Sequence, residues 1–259
     1  MSRVPSLPLK DQVRALDRVI TRCIAVSRAC AGIPSPSGAH YYASVLFTSL
    51  CTRAVSLAIL SPYSSWAKKK SEHWDYSSIA GATRSILEVR LAFFYLCAET
   101  CPADEWDCRW NIFNLHDCMS RIHLFENIPE NEWNLNGFRT QASELRTRLE
   151  GNPFFQALPQ KQRNKYINGG HAYLFPLEEI AARAGVELNT FRLLYRLFST
   201  QVHSFPMGFY RMGDDNRGRG IHSDVEEFYI NICLSVAAVL LSAAEKEMKY
   251  LFPGATKNV

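Results

Sequence analysis

The sequence predicts an all-α protein that forms a single bundle of about seven to nine helices. Apolar residues recur at helical spacing over long segments, and proline and glycine separate those segments. No run alternates strictly enough between apolar and polar residues to predict a β-strand. The chain has 259 residues, of which 47% are hydrophobic and 21% are charged. These proportions are ordinary for a globular protein and argue against extensive disorder.

Four long helices are expected in the first half of the chain. The first places Val13, Leu16 and Ile20 on one face, which is typical of an amphipathic helix. The expected segments are residues 9–31, 39–60, 76–99 and 103–127, separated by proline or glycine. The third of these is apolar nearly all round, and such a helix is usually central in a bundle.

The second half of the chain is less regular. A polar helix is expected near residues 140–149, followed by helices at about 176–184, 187–204 and 224–251. Ser223 or Asp224 is expected to cap the last helix. The polar, glycine-rich segment 212–220 is the predicted linker between the last two helices.

The whole chain, 1–259, is expected to fold as one domain in four parts. These are an N-terminal helix and loop (1–36), central helices (37–127), an irregular insertion (128–172) and C-terminal helices (173–251).

Charge and cysteine content restrict the classes of partner and compartment. The net charge of +4 permits an anionic partner such as RNA or a nucleotide, but does not require one. The N-terminus lacks an apolar segment of signal-peptide type, so the eight cysteines are expected to be buried thiols in a reducing cytoplasm. The longest apolar stretch, residues 230–244, is short for a membrane span, and a buried helix is expected there.

No metal or cofactor is expected from the sequence. The cysteines do not have the paired spacing of a structural zinc site. His116 and His123 lie seven residues apart on one helical face, but no third ligand is placed beside them. The chain also has no phosphate-loop, dinucleotide or nucleophile-elbow motif.

The helix at 187–204 carries a polar face that its apolar stripe does not explain. Arg192, Arg196, Ser199 and His203 follow one another at steps of four, three and four residues, so they share one face. This face carries two arginines, a hydroxyl and an imidazole but no acidic side chain. It would therefore suit an anion such as phosphate. The same face could instead bind carboxylates of another helix.

A second polar feature interrupts the otherwise apolar third helix. Arg84 and Glu88 are four residues apart there. One interpretation is an ordinary ion pair on the single solvent-exposed strip of that helix. The other is that both side chains line the same pocket as His203.

Two short motifs together carry a resemblance to a known family. They are Arg84-Ser85-x-x-Glu88 on the third helix and Tyr195-x-x-x-Ser199-x-x-x-His203 on the helix at 187–204. With the long closing helix, they resemble a large bacterial family of unknown function over about residues 40–250. The resemblance implies an all-α fold and one pocket formed by five side chains, Arg84, Glu88, Tyr195, Ser199 and His203. It implies no activity.

Arg196 and His203 are also similar to the Arg-x(4–6)-His signature of HEPN domains, many of which are metal-independent ribonucleases. This resemblance implies a ribonuclease that acts as a toxin or phage-defence effector and works as a homodimer without a cofactor. His203 would be the general acid/base and Arg196 the residue that stabilises phosphoryl charge, while Arg192 and Ser199 position the RNA. Arg109/His116 and Arg217/His222 have the same spacing, and the polar face is what distinguishes Arg196/His203.

Two other functions are compatible with the same residues. A non-catalytic module could use the basic face to bind a nucleotide, a small anion or a partner protein. A subunit of a larger assembly could bury Arg192 and Arg196 in an interface.

Overall fold

The computed structural model describes residues 7–126, 128, 132–203, 205–209 and 216–259. Within these ranges the regular structure is helical, and the β-type pairing is limited to an isolated bridge between Trp74 and Gly220. The predicted all-α fold is therefore confirmed. Two expected helix termini, at residues 127 and 204, lie outside the described ranges. Residues 212–215 of the expected linker lie outside them as well.

The helices follow the predicted order closely. They are α1 (Leu9–Cys30), α2 (Gly38–Leu60), α3 (Tyr76–Phe93), a π-helical turn (Phe94–Ala98), α4 (Ala103–Phe125), α5 (Glu132–Glu150), α6 (Pro153–Ala157), α7 (Gln160–Ile167), α8 (Leu177–Arg183), α9 (Leu188–Val202), α10 (Pro206–Phe209) and α11 (Asp224–Leu251). In the described part of the chain, nine α-helices have seven or more residues, which agrees with the expected number. Helix α7 and the single-turn helices α6 and α10 were not predicted and are additional.

Helix α5 begins earlier than the sequence pattern predicts, at Glu132 rather than near residue 140. Its first part contains asparagine and Gly137, which disfavour helix. Leu135 and Phe138 pack against a buried apolar cluster, and this packing stabilises the extra turns. Tertiary contacts have thus overridden local propensity.

The chain forms two compact units. Unit 1 contains residues 1–98 and 181–259, and unit 2 contains residues 99–180. The segment 128–172, expected as an irregular insertion, is therefore part of a unit that also includes α4. Because α4 packs against α5, α6 and α7, it belongs with the segment that follows it.

Each unit has its own core. In unit 1, α3 packs against α2, α9 and α11, so it has the central place that its apolar sequence predicts. Its contribution to that core includes the fully buried Ile79, Ile86 and Leu91. In unit 2, α4 and α5 enclose a cluster that includes Ile112, Leu115, Leu145, Leu149 and Phe155.

Two helices of unit 1 are long and apolar enough to cross a membrane, judged by length and composition alone. They are α2 and α11. Both also contribute buried residues to the core of unit 1, among them Phe47 of α2 and Leu241 of α11. Core helices of soluble proteins pass the same test, so this composition does not identify a membrane span.

All eight cysteines are reduced thiols, and seven of them are buried. Burial raises the pKa of the Cys97, Cys108 and Cys233 thiols to about 12. Because the thiolate is the reactive form, we expect a maleimide or disulfide reagent to modify the half-buried Cys101 first. Timed mass spectrometry of the folded protein would measure this order, and Cys101→Ser should remove the fast phase. Rapid modification of several thiols before unfolding would contradict this prediction.

Candidate functional site

Helix α9 is held against α3 by its apolar face. Glu187 caps its N-terminus, accepting hydrogen bonds from the backbone N–H groups of Asn189 and Thr190 at 2.8 and 2.7 Å. Phe191 and Phe198 are buried, as the predicted apolar stripe requires. The neighbouring face of α9 therefore lies along the exposed edge of α3.

Four side chains from these two helices meet in one hydrogen-bonded group, which we call the Arg84 cluster. It consists of Arg84 and Glu88 of α3, Tyr195 of α9, and His203 at the C-cap of α9. Arg84 donates from Nε to Glu88 Oε1 at 3.0 Å and from Nη2 to the Tyr195 hydroxyl at 3.1 Å. Its Nη1 lies 3.1 Å from His203 Nε2. The structure therefore brings Arg84, Glu88 and His203 together, while the predicted pocket stays a prediction.

The aromatic ring and the carboxylate hold the guanidinium in place. The Tyr195 hydroxyl lies 3.4 Å from Glu88 Oε1, and the Arg84 guanidinium carbon lies 4.8 Å from the Tyr195 ring centroid. The Arg84 side chain is 13% exposed, whereas that of Glu88 is 43% exposed. The cation is therefore fixed from several sides, and the carboxylate that balances it remains open to water.

His203 is exposed and presents Nε2 to Arg84. A guanidinium N–H can only donate, so Nε2 must accept in this contact. A hydrogen bond between these two atoms uses the tautomer that carries its proton on Nδ1. The His203 backbone N–H donates to the Ser199 carbonyl oxygen at 3.0 Å, which fixes the residue at the end of α9. An imidazole nitrogen thus lies beside a fixed cation.

The other residues of the predicted polar face have different surroundings. The Ser199 hydroxyl donates to the Tyr195 carbonyl oxygen at 2.5 Å, so it makes a bond within α9. Arg192 and Arg196 are exposed on the same helix. Among the described residues, the guanidinium in hydrogen-bond contact with His203 is that of Arg84, although the spacing in the sequence predicts Arg196 for this position.

A further arginine lies next to the cluster, and the sequence analysis did not identify it. Arg53 of α2 donates from Nε to the Ser85 hydroxyl at 2.6 Å and from Nη1 to the Ser49 hydroxyl. Ser85 directly follows Arg84, so the Arg-Ser-x-x-Glu motif contacts a second guanidinium. Both partners are neutral hydroxyls, so these two bonds do not themselves compensate the positive charge of Arg53. Its position on α2 gave no signal in the sequence because the contact is long-range.

The residues considered for metal binding do not form a metal centre in the described part of the chain. No group of three His, Cys, Asp or Glu side chains is placed to hold an ion there. His116 instead pairs through Nδ1 with the Gly169 carbonyl oxygen at 2.8 Å, within unit 2.

The described end of the predicted linker, residues 216–220, is attached to the rest of unit 1. The Gly218 N–H donates to Glu226 Oε1 at 2.6 Å, and the Gly220 carbonyl oxygen accepts from the Trp74 N–H at 3.2 Å. Gly218 and Gly220 have positive φ angles of 69° and 73°, which glycine adopts without strain.

The fold and the site define an all-α protein whose polar cluster joins two neighbouring helices. The sequence model of a family of unknown function, DUF5677, matches residues 40–220, and the chain belongs to this family. The matched region contains all four residues of the Arg84 cluster. Comparisons with curated proteins and with solved structures give no significant match. The expected membership of a family of unknown function is confirmed, while the HEPN resemblance stays a hypothesis.

Proposed function

We propose that the protein is a metal-independent endoribonuclease that acts at the Arg84 cluster. The contact between Arg84 and His203 Nε2 carries this proposal, because it places a proton acceptor beside a fixed cation. Imidazole moves protons near neutral pH, and guanidinium pairs with phosphate oxygens. RNA supplies its own nucleophile, the 2′-hydroxyl, so no metal is needed to generate one.

In the proposed reaction, a phosphodiester of RNA lies against Arg84 and the ribose approaches His203. The 2′-oxygen forms a bond to phosphorus while the bond from phosphorus to the 5′-oxygen breaks. The phosphate takes over Arg84 Nη1 from His203, and the Nε2 atom released in this way takes the proton of the 2′-hydroxyl, while the leaving 5′-oxygen takes a proton from water. Arg84 stabilises the charge that develops on the phosphoryl oxygens. The products carry a 2′,3′-cyclic phosphate and a 5′-hydroxyl, and the imidazolium returns its proton to solvent.

Basic residues on both sides of the cluster support a polyanionic substrate. Arg192 and Arg196 are exposed along α9, and Arg53 lies on α2 beside Ser85. Each could contact a phosphate upstream or downstream of the cleaved one. A cytoplasmic enzyme of this kind would act as a toxin or as a phage-defence effector.

Glu88 favours a second candidate, a non-catalytic module that binds a nucleotide, a small anion or a partner protein. Its partly exposed carboxylate compensates the charge of Arg84 and would repel a phosphate placed directly against it. A carboxylate in this position would suit ribose hydroxyls or a basic side chain of a partner. In that case the cluster binds and nothing reacts.

The two functions are distinguished by RNA cleavage in the presence of a metal chelator. We expect wild-type protein to cleave end-labelled RNA in EDTA, and His203→Ala to lower the rate at least about a hundredfold by removing the base. His73→Ala removes another exposed histidine of unit 1 and is the matched control, expected to cleave like wild type. Equal rates for wild type and His203→Ala would exclude His203 as the catalyst. Thermal stabilisation by nucleotides without any cleavage would favour the binding module.

A further inference from the structure

Cleavage of RNA at the Arg84 cluster moves two protons, and His203 accounts for one of them. The 2′-hydroxyl loses its proton to His203, and the leaving 5′-oxygen gains a proton as its bond to phosphorus breaks. The attacking and leaving oxygens are roughly in line across phosphorus. A side chain that protonates the leaving oxygen must therefore lie beside the same phosphate as His203, but on its other side.

The Tyr195 hydroxyl and the His203 ring contact different terminal nitrogens of the Arg84 guanidinium. Nη2 donates to the Tyr195 hydroxyl at 3.1 Å, and Nη1 lies 3.1 Å from His203 Nε2. Both nitrogens are bonded to the same carbon atom. A phosphate that takes over Nη1 from His203 would therefore lie next to the hydroxyl on Nη2.

The Tyr195 hydroxyl has a proton available for this transfer. A guanidinium can only donate, so the hydroxyl accepts from Nη2 and keeps its own O–H as a donor. That O–H donates to Glu88 Oε1 over 3.4 Å, which is long for a hydrogen bond between two oxygens. A 5′-oxygen that gains negative charge as it leaves phosphorus would be a stronger acceptor.

Glu88 and Ser199 are less suited to this role. Glu88 Oε1 accepts from both Arg84 and Tyr195, and the Ser199 hydroxyl donates within α9 to the Tyr195 carbonyl oxygen. The Tyr195 ring is held on the buried Phe191, with the ring centroids 5.3 Å apart. The phenol therefore has a fixed position beside the guanidinium.

We propose that Tyr195 is the general acid of the cleavage, an inference that rests on the ribonuclease function proposed above. As the bond from phosphorus to the 5′-oxygen breaks, its electron pair stays on that oxygen, which takes the phenol proton of Tyr195. The phenolate accepts from Arg84 Nη2. It then regains a proton from water, while the His203 imidazolium releases one. The products are the same cyclic phosphate and 5′-hydroxyl, and a fixed donor takes the place of water.

Changing the leaving atom from oxygen to sulfur separates an acid from a tyrosine with a structural role. A thiolate leaves phosphorus without being protonated, so RNA with a single 5′-bridging sulfur needs no general acid. In EDTA, Tyr195→Phe should lower the single-turnover rate on oxygen RNA at least about a hundredfold, and on sulfur RNA by less than about threefold. His203→Ala should slow both, because each substrate needs the base.

Two features of the chain control this experiment. Tyr195→Phe keeps the ring and its contacts with Phe191 and Arg84, and removes the hydroxyl alone. Tyr229→Phe removes the hydroxyl of another half-buried tyrosine of unit 1, which stacks on Tyr76, and should cleave both RNAs like wild type.

The outcomes distinguish the role of Tyr195 from the activity itself. Equal losses of Tyr195→Phe on oxygen and sulfur RNA would overturn the acid role, because the hydroxyl would then only hold Arg84 in place. An unchanged rate on oxygen RNA would overturn it as well. In both cases the wild-type protein still cleaves. If wild type cleaves neither RNA, the ribonuclease function fails, and the acid role fails with it.

Discussion

Replacing Arg84 with methionine should lower the proposed RNA cleavage at least about a hundredfold, because the variant lacks the cation that stabilises phosphoryl charge. Methionine keeps an unbranched apolar stem over the Tyr195 ring, so the packing of α3 against α9 should persist. Arg196→Met is the matched comparison, because Arg196 is exposed and its loss removes one peripheral charge. We expect that variant to weaken RNA binding modestly and to show a reduced salt dependence. Single-turnover rates in EDTA, measured at several salt concentrations, would separate these effects.

The same pair of variants tests which arginine acts with His203. A larger loss for Arg196→Met than for Arg84→Met would show that the spacing in the sequence identified the functional pair and that the Arg84 contact is structural. The NMR signals of the His203 ring provide a readout that does not depend on catalysis. They should shift in Arg84→Met, which removes the hydrogen-bond partner of Nε2, and stay unchanged in Arg196→Met. Unchanged His203 signals in Arg84→Met would contradict the contact itself.

The contrast between Arg84 and Arg196 shows how far sequence patterns can identify a site. Helical spacing predicts that Arg196 and His203 lie on one side of α9. Seven residues of helix nevertheless separate their backbones by roughly 10 Å. Arg84 reaches His203 from α3, 119 residues away in the chain. Spacing within one helix does not specify which neighbouring helix supplies the partner.

The contact between Arg53 and Ser85 could not be predicted for the same reason. Ser85 is one residue from Arg84, so it points around α3 toward a different neighbour. Its partner lies on α2, and nothing in the local sequence of α2 distinguishes Arg53 from a solvent-exposed arginine. The sequence pattern did predict where the helices lie, because capping residues, prolines and apolar periodicity are local signals. The packing of α4 with α5, which defines unit 2, is a tertiary property.

Arg109 shows that the Arg–His spacing also occurs where an arginine has a structural role. It lies seven residues before His116, but its side chain is completely buried between two carboxylates of unit 2. Nη1 donates to Glu99 Oε2 and Nη2 to Glu105 Oε1, each at 2.5 Å. The Phe175 ring centroid lies 5.3 Å from the guanidinium carbon. A motif defined by spacing alone therefore selects both surface and core arginines.

Arg109→Met should destabilise unit 2 by about 3–5 kcal/mol, because it leaves Glu99 and Glu105 buried without their shared cation. The matched control on the same helix is Arg121→Met, whose pair with Asp117 is about half exposed and should contribute less than about 1 kcal/mol. Urea denaturation followed by circular dichroism would measure both free energies of unfolding.

A triple variant separates the cost of stranded charge from the value of the buried ion group. Adding Glu99→Leu and Glu105→Leu to Arg109→Met removes all three charges together, and we expect it to recover most of the lost stability. Recovery would mean that the buried group constrains how α4 packs rather than supplying net stability to unit 2. If the triple variant remains as unstable as Arg109→Met, the hydrogen bonds of Arg109 contribute stability that apolar packing cannot replace. In either case, the destabilisation expected for Arg109→Met and the activity loss expected for Arg84→Met are measured on different units.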